Sequence, residues 1–70
     1  MEKLILKEFG EKLKTMRKQQ HLSQEALALK GGFNRNYIGM LERGERNPSL
    51  LSLKKLSNTL GVELKELMDF

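Results

Sequence analysis

Residues 23–46 read SQEALALKGGFNRNYIGMLERGER and predict two short helices joined by a tight turn. Ser23 can cap the first helix, because its hydroxyl accepts a hydrogen bond from a free backbone amide of the first helical turn. Gly32 follows that helix at a position that usually needs a left-handed backbone, which glycine adopts without a Cβ clash. Asn34 can then cap the second helix. The stretch therefore encodes a helix, a turn and a second helix.

The helices predicted along the whole chain are short and amphipathic. They cover about residues 2–20, 24–30, 35–43, 49–60 and 63–69. Apolar residues recur at spacings of three and four, which predicts one helix face packed on a core. The stripe is formed by Leu6, Phe9, Leu13 and Met16 in the first helix, continued at the same spacing by the polar Gln20, and by Leu50, Leu53, Leu56 and Leu60 in the fourth. The expected fold class is all-α, a compact five-helix bundle forming a single domain over residues 1–70.

The composition limits the chemistry that the chain can perform. It has no cysteine and a single histidine, His21, so we expect no disulfide, no metal site and no cofactor. An enzyme is the poorest function class, since 70 residues form no obvious pocket and no nucleophile stands beside His21. With 13 Lys and Arg against 9 Asp and Glu, the net charge of +4 is compatible with a nucleic-acid partner. No apolar run suits a membrane span or a secretory signal, so a cytoplasmic location is expected.

Two charged residues fall on apolar helix faces. Arg17 lies four residues after Leu13 on the stripe of the first helix. Glu42 shares the inward face of the third helix with Ile38 and Leu41. Because an unpaired buried charge is very costly, we expect Arg17 and Glu42 to pair inside the core. Glu42 is then structural and not catalytic.

The opposite face of the third helix carries side chains suited to DNA bases. Asn36, Met40 and Arg43 point outward there, and Arg35 and Tyr37 occupy the first turn. Arg can donate two hydrogen bonds to guanine and Asn can do the same to adenine. The N-terminal residues of a docked helix reach furthest into the major groove. We therefore expect Arg35, Asn36 and Met40 to contact bases, although Met40 also fits an exposed or partner-facing apolar residue.

Contacts to the DNA backbone are expected around the edges of this face. Gln24 lies in the first turn of the second helix, where free amides and the helix dipole favour an anion. Arg43 and Arg46 flank Gly44 and can reach phosphates, and Arg46 is flexible enough to enter a groove instead. Tyr37 is expected to lay its ring along the sugar-phosphate backbone and give its hydroxyl to a phosphate. The alternative for Tyr37 is a partly buried ring packed on the second helix.

A helix, a glycine-containing turn and a second helix form the helix-turn-helix of DNA-binding proteins. With the residues above, the chain resembles the phage lambda repressor and Cro type of this domain over about residues 8–70. The matching residues are Arg17, residues 23–28, Gly32, Ile38, Leu41, Glu42, Gly44, Arg46, residues 48–50, Leu53, Leu56 and residues 60–62. The resemblance implies that Gln24 clamps a phosphate and that Arg17 pairs with Glu42. It also implies that Arg35, Asn36 and Met40 read bases.

A narrower resemblance is to the controller proteins of restriction-modification systems. It rests on residues 35–38, which read RNYI, and on residues 42–50, which read ERGERNPSL. In those proteins the operator is contacted at the positions of Arg35, Asn36, Tyr37 and Arg46. Two departures stand out. Gly31 replaces the alanine usual before the turn glycine, which should loosen the second helix, and Met40 replaces a more usual polar reader.

The leading hypothesis is a homodimeric, sequence-specific transcriptional regulator that binds an inverted repeat in double-stranded DNA. The apolar C-terminus exceeds what one short helix can bury, so part of it is expected to form the dimer interface. Its residues are Leu64, Leu67, Met68 and Phe70. The alternative is an antitoxin-like module that neutralises a toxin-like partner enzyme. Such proteins usually carry an additional toxin-binding segment, and here only the C-terminal patch can serve.

Overall fold

The computed structural model describes residues 2–70, which form five α-helices. They are α1 (Glu2–Gln19), α2 (Gln24–Gly31), α3 (Arg35–Glu42), α4 (Leu50–Leu60) and α5 (Leu64–Leu67). The all-α class is confirmed, and the predicted ends of α1 to α4 are correct to within one residue. The last helix is shorter than predicted, since it ends at Leu67. Within residues 2–70 no helix combines the length and the apolar character needed to cross a membrane.

The two predicted helix caps on either side of the turn are both present. Ser23 Oγ accepts a hydrogen bond from the backbone amide of Ala26 at 3.0 Å. Asn34 Oδ1 accepts one from the backbone amide of Asn36 at 2.8 Å. Between these caps, Gly32 ends α2 with φ 73, in the left-handed region that favours glycine. Local hydrogen bonding therefore fixes where α2 stops and α3 starts.

The core lies where the five helices converge. Its buried apolar residues are Phe9, Leu13, Met16, Leu27, Ala28, Ile38, Leu41, Leu56, Leu60 and Leu67. The predicted stripes of α1 and α4 are too long at their ends. Leu6 is only partly buried, and Gln20 is exposed, with its Nε2 donating to the carbonyl oxygen of Leu60 at 2.6 Å. Leu50 is 75% exposed, because it lies in the first turn of α4 and about 120° around the helix from Leu56.

α1 crosses the C-terminal end of α3 with backbone against backbone. An ideal Cβ atom on Gly10 would lie 2.5 Å from the carbonyl oxygens of both Leu41 and Glu42. A side chain at position 10 would therefore force the two helices apart. The close crossing places Arg17, about two turns further along α1, beside the Glu42 side chain.

Gly31, the departure from the usual alanine, has a packing role. An ideal Cβ atom there would lie 2.7 Å from a ring atom of Phe33 and 2.8 Å from Thr59 Oγ1. α2 continues through Gly31, and the missing side chain makes room for the Phe33 ring beneath it. The expectation of a loosened helix did not include this contact with α4.

Candidate nucleic-acid interface

A buried polar cluster connects α1, α2 and α3. Arg17 Nε donates to Glu42 Oε2 at 2.6 Å, and Arg17 Nη2 donates to Glu42 Oε1 at 3.0 Å. Arg17 Nη1 donates to the carbonyl oxygen of Leu22 at 2.7 Å. Gln24 Nε2 donates to Glu42 Oε1 at 3.0 Å. Arg17 is 7% exposed and Glu42 is 6% exposed, so the predicted buried ion pair is confirmed.

The ion pair satisfies the hydrogen-bonding groups that it buries. The hydrogen bond that Arg17 donates to Glu42 raises the pKa of the Arg17 guanidinium. Burial lowers this pKa, and the negative charge of Glu42 raises it. Among the described residues, no buried side-chain nitrogen or oxygen lacks a hydrogen-bond partner. The helices that carry the outward-facing residues, α2 and α3, are therefore joined to α1 by a polar cluster in which every buried group is hydrogen-bonded.

The N-terminal turn of α3 presents two hydrogen-bonding side chains to solvent. Arg35 and Asn36 are exposed, and neither side chain makes a hydrogen bond within residues 2–70. Met40 is partly buried on the same helix. The guanidinium of Arg35 and the carboxamide of Asn36 are thus available for an external partner such as a base edge.

Gly39 forms a notch on α3 at which two other predicted contact residues converge. An ideal Cβ atom on Gly39 would lie 3.1 Å from Arg43 Nη1 and 3.7 Å from Gln24 Oε1. Both neighbours are the far ends of flexible side chains. Gly39 therefore lies against the side chains of Gln24 and Arg43 instead of against the backbone of another helix.

The Tyr37 ring is partly buried, as the alternative interpretation of the sequence predicts, but its neighbours are Phe33, Ser52 and Arg46 instead of residues of α2. Its ring stacks on Phe33 at a centroid distance of 6.0 Å, and its hydroxyl donates to Ser52 Oγ of α4 at 3.0 Å. The Arg46 guanidinium lies 5.3 Å from the ring centroid on the ring face. Because the single hydroxyl proton is already donated to Ser52, a phosphate contact through that proton would require this hydrogen bond to break.

Arg43 forms an ion pair that the sequence did not predict. Its Nε and Nη2 donate to the two carboxylate oxygens of Glu45 at 3.0 and 3.2 Å, and both side chains are exposed. The hydrogen bond raises the pKa of Arg43 and lowers the pKa of Glu45. Gly44, with φ 75, turns the chain between them, so the glycine after α3 was the available signal. In this structure Glu45 occupies one side of the Arg43 guanidinium.

The predicted dimer residues divide into buried and exposed side chains. Leu67 is completely buried within the chain, so its assignment to a dimer interface is wrong. α5 packs directly on α1 and α4, and this packing turns Leu67 into the core. Leu64 is partly buried, Met68 is 42% exposed and Phe70 is 44% exposed, and the Phe70 ring makes an edge-type contact with the Phe9 ring.

A second exposed apolar patch lies at the start of α4 and was missed from the sequence. Leu50 and Leu51 are 75% and 70% exposed. Leu50 and Leu51 point about 120° and about 140° away from the buried Leu56, on opposite sides of the helix, so neither lies on the buried stripe of α4. Those angles were the signal in the sequence that both leucines lie on the surface.

Comparison with known proteins gives consistent matches over most of the chain. The profile of the helix-turn-helix family matches residues 13–67. The control protein C.BamHI of Bacillus amyloliquefaciens is 44% identical over 63 residues, which cover 89% of this chain and 78% of that protein. The crystal structure of the restriction-modification controller protein C.AhdI from Aeromonas hydrophila superposes with a TM-score of 0.87 and 45% identity, covering 89% of this chain and 94% of that one.

A further solved structure includes DNA. The restriction-modification controller protein C.Esp1396I, as a tetramer in complex with its natural 35 base-pair operator, matches with a TM-score of 0.79 and 29% identity. The match covers 93% of this chain and 96% of that one. Together these matches confirm the resemblance to helix-turn-helix regulators and to controller proteins that the sequence predicts.

Proposed function

Because the chain belongs to the helix-turn-helix family, we propose that it binds an inverted-repeat operator in double-stranded DNA as a homodimer and regulates transcription. Its similarity to C.BamHI and C.AhdI favours a regulator of the controller type, acting in the cytoplasm as a single DNA-binding domain. The observation that carries the proposal is the first turn of α3, where the exposed side chains of Arg35 and Asn36 present groups that make no hydrogen bond within residues 2–70.

In this proposal α3 lies in the major groove and its outward residues read bases. Arg35 donates to a guanine, Asn36 pairs with an adenine and Met40 contacts a thymine methyl group. Phosphates are bound at the edges by Gln24 and Arg43, which converge on the Gly39 notch. Arg46 and Tyr37 form a separate stacked pair that reaches the DNA backbone or the edge of a groove.

The homodimer is proposed to use exposed apolar side chains at two places. Met68 and Phe70 follow α5, with the partly buried Leu64 beside them, and Leu50 and Leu51 begin α4. The related C.Esp1396I was solved as a tetramer on its operator, which supports self-association on DNA in proteins of this type. A closed two-fold dimer would bury such patches symmetrically.

Selection of DNA fragments from a random pool by the purified protein tests the proposed function. We expect enrichment of an inverted repeat whose half-sites are about 10 base pairs apart, because a two-fold dimer presents its two α3 helices to successive major grooves on one face of the duplex. A bound pool without an enriched sequence would contradict sequence-specific binding. Half-sites in direct repeat would contradict the two-fold dimer.

A further inference from the structure

The Glu42 carboxylate accepts more hydrogen bonds than its ion pair requires. Arg17 already donates to both carboxylate oxygens, at 2.6 and 3.0 Å. Gln24 Nε2 adds a third donor at 3.0 Å, on the same Oε1 that Arg17 Nη2 contacts. Gln24 is only partly buried, so water could satisfy its carboxamide without Glu42. Burial alone therefore does not explain why this hydrogen bond is made.

The hydrogen bond fixes which way the Gln24 carboxamide points. A carboxamide has a donating and an accepting end, and only the donating end can face a carboxylate. With Nε2 on Glu42, Oε1 lies 3.7 Å from the Cβ position of Gly39, over the notch in α3. The second Nε2 hydrogen is left for another acceptor. Hydrogen bonds to a charged acceptor are about twice as strong as neutral ones, so this orientation is strongly preferred.

We propose that Glu42 is a positioning residue for DNA binding, which holds the Gln24 side chain in the orientation that binds a phosphate. This inference rests on the proposed function and assigns Glu42 a role beyond the ion pair. Glu42 is 6% exposed and does not touch DNA itself. It acts through Gln24, whose backbone starts α2 while its side chain is held by the end of α3. Preorganisation of this kind lowers the cost of ordering a side chain on binding.

The proposal is tested by a double-mutant cycle on operator affinity. The four proteins are the parent, Gln24→Ala, the apolar pair Arg17→Met with Glu42→Leu, and the triple variant. In the parent, Gln24→Ala is expected to weaken operator binding about tenfold, as loss of a hydrogen bond to a charged group does. The apolar pair is expected to weaken binding by a similar factor, and Gln24→Ala should then cost less than about threefold in that background.

The chain offers a matched control for the loss of a bonded glutamine. Gln20 Nε2 donates to the Leu60 carbonyl oxygen, away from Glu42, so Gln20→Ala should lower the melting temperature and leave operator affinity unchanged. If Gln24→Ala costs the same factor in both backgrounds, Glu42 does not position Gln24. If Gln24→Ala costs nothing in the parent, Gln24 is not a DNA contact and the positioning role is overturned as well. A parent protein that binds no DNA defeats the proposed function itself.

Nuclear magnetic resonance gives a second test that does not depend on the apolar pair folding. The side-chain amide protons of Gln24 should exchange with water several-fold more slowly than those of Gln19, which is exposed and has no side-chain hydrogen bond within residues 2–70. Equal exchange rates for Gln24 and Gln19 in the parent protein would overturn the proposal. Slow exchange of Gln24 together with the non-additive cycle is the result that we expect.

Discussion

The Cα of Gly10 packs so closely on the Glu42 carbonyl that an ideal Cβ atom on Gly10 would lie 2.5 Å from that oxygen. The oxygen belongs to the backbone at the end of α3, so it cannot move without moving the helix. Gly10 therefore sets how closely α1 can approach α3 where the two helices cross. That crossing in turn places Arg17 against Glu42 and aligns the polar cluster beneath the predicted DNA-binding face.

Gly10→Ala is expected to destabilise the protein by about 1–3 kcal/mol, the usual cost of overpacking a tight contact. Helix propensity alone would predict the opposite sign for this change in stability, because alanine is favoured over glycine by about 1 kcal/mol in a helix interior. The free energy of unfolding from urea or thermal denaturation measures the effect.

Gly39→Ala is the matched control for this prediction. Both glycines are helical and buried, but the nearest neighbour of a Cβ on Gly39 is the mobile end of Arg43 at 3.1 Å. We expect Gly39→Ala to leave stability unchanged or to raise it by up to about 1 kcal/mol. Two variants that were equally stabilised would show that α1 does not press on the backbone of α3.

Glu42→Ala should lower stability by about 3–5 kcal/mol, because it leaves the Arg17 guanidinium buried without its partner. The combined change of Arg17→Met and Glu42→Leu should recover much of that loss, since an apolar pair of similar volume needs no compensating charge. Thermal unfolding of the three proteins decides the matter. A Glu42→Ala protein as stable as the parent would mean that the ion pair contributes nothing to the folded state.

Much of the motif could be predicted because its signals are local. Ser23 and Asn34 cap helices through amides two or three residues away, and Gly32 supplies its own left-handed backbone. The pairing of Arg17 with Glu42 is distant in sequence. It was still predictable, because each charge lies on an apolar face and has few other partners.

The features that were missed depend on the arrangement of helices in space. Nothing near Gly10 in the sequence shows that α3 will cross there, and nothing near Tyr37 shows that Ser52 will accept its proton. Leu67 was assigned to a surface because the orientation of α5 on the core is set by its neighbours. His21, the second residue after the end of α1, adopts a left-handed conformation with φ 58, which is uncommon for a residue other than glycine.

Glu45→Gln is expected to strengthen non-specific DNA binding. Arg43 is held by two hydrogen bonds to the Glu45 carboxylate, and the charge of Glu45 opposes a phosphate at the same place. Since Arg43 lowers the pKa of Glu45, acidification must pass below the ordinary glutamate range before protonation breaks the pair. Because Arg43 is proposed to contact a phosphate already in the parent, the slope of log affinity against log salt should steepen by less than one per binding site.

Glu11→Gln controls for the change in overall charge. Glu11 is exposed on α1 and takes part in no ion pair within residues 2–70. Glu11→Gln should therefore produce a much smaller gain in DNA affinity and no change in the slope of log affinity against log salt. Equal effects of Glu11→Gln and Glu45→Gln would assign the gain to net charge alone and remove any role for Glu45 in restraining Arg43.

Met68→Lys should weaken the proposed homodimer, raising its dissociation constant about tenfold or more, as expected for loss of a buried apolar side chain. Sedimentation equilibrium measures the constant directly. Leu29→Lys serves as the control, since Leu29 is 84% exposed on α2 and lies outside both proposed dimer patches. A dimer weakened by Leu29→Lys and not by Met68→Lys would move the interface to α2.

Arg35 and Arg43 should differ in kind, and this difference tests the orientation of α3 on DNA. Arg35 is exposed in the first turn of α3 and forms no ion pair within residues 2–70, so Arg35→Ala should cost about 1–3 kcal/mol and relax the preference at one base pair of each half-site. Arg43 lies at the opposite end of α3, and Arg43→Ala should weaken the binding of specific and non-specific DNA about equally while lowering the salt slope by about one per site.

Gln24→Ala should also weaken the binding of both kinds of DNA, but with the salt slope unchanged, because a neutral side chain releases no counterion. Titrations of operator and scrambled DNA at several salt concentrations separate these outcomes. If Arg35→Ala weakened all sequences alike while Arg43→Ala changed the base preference, α3 would enter the groove by its other end.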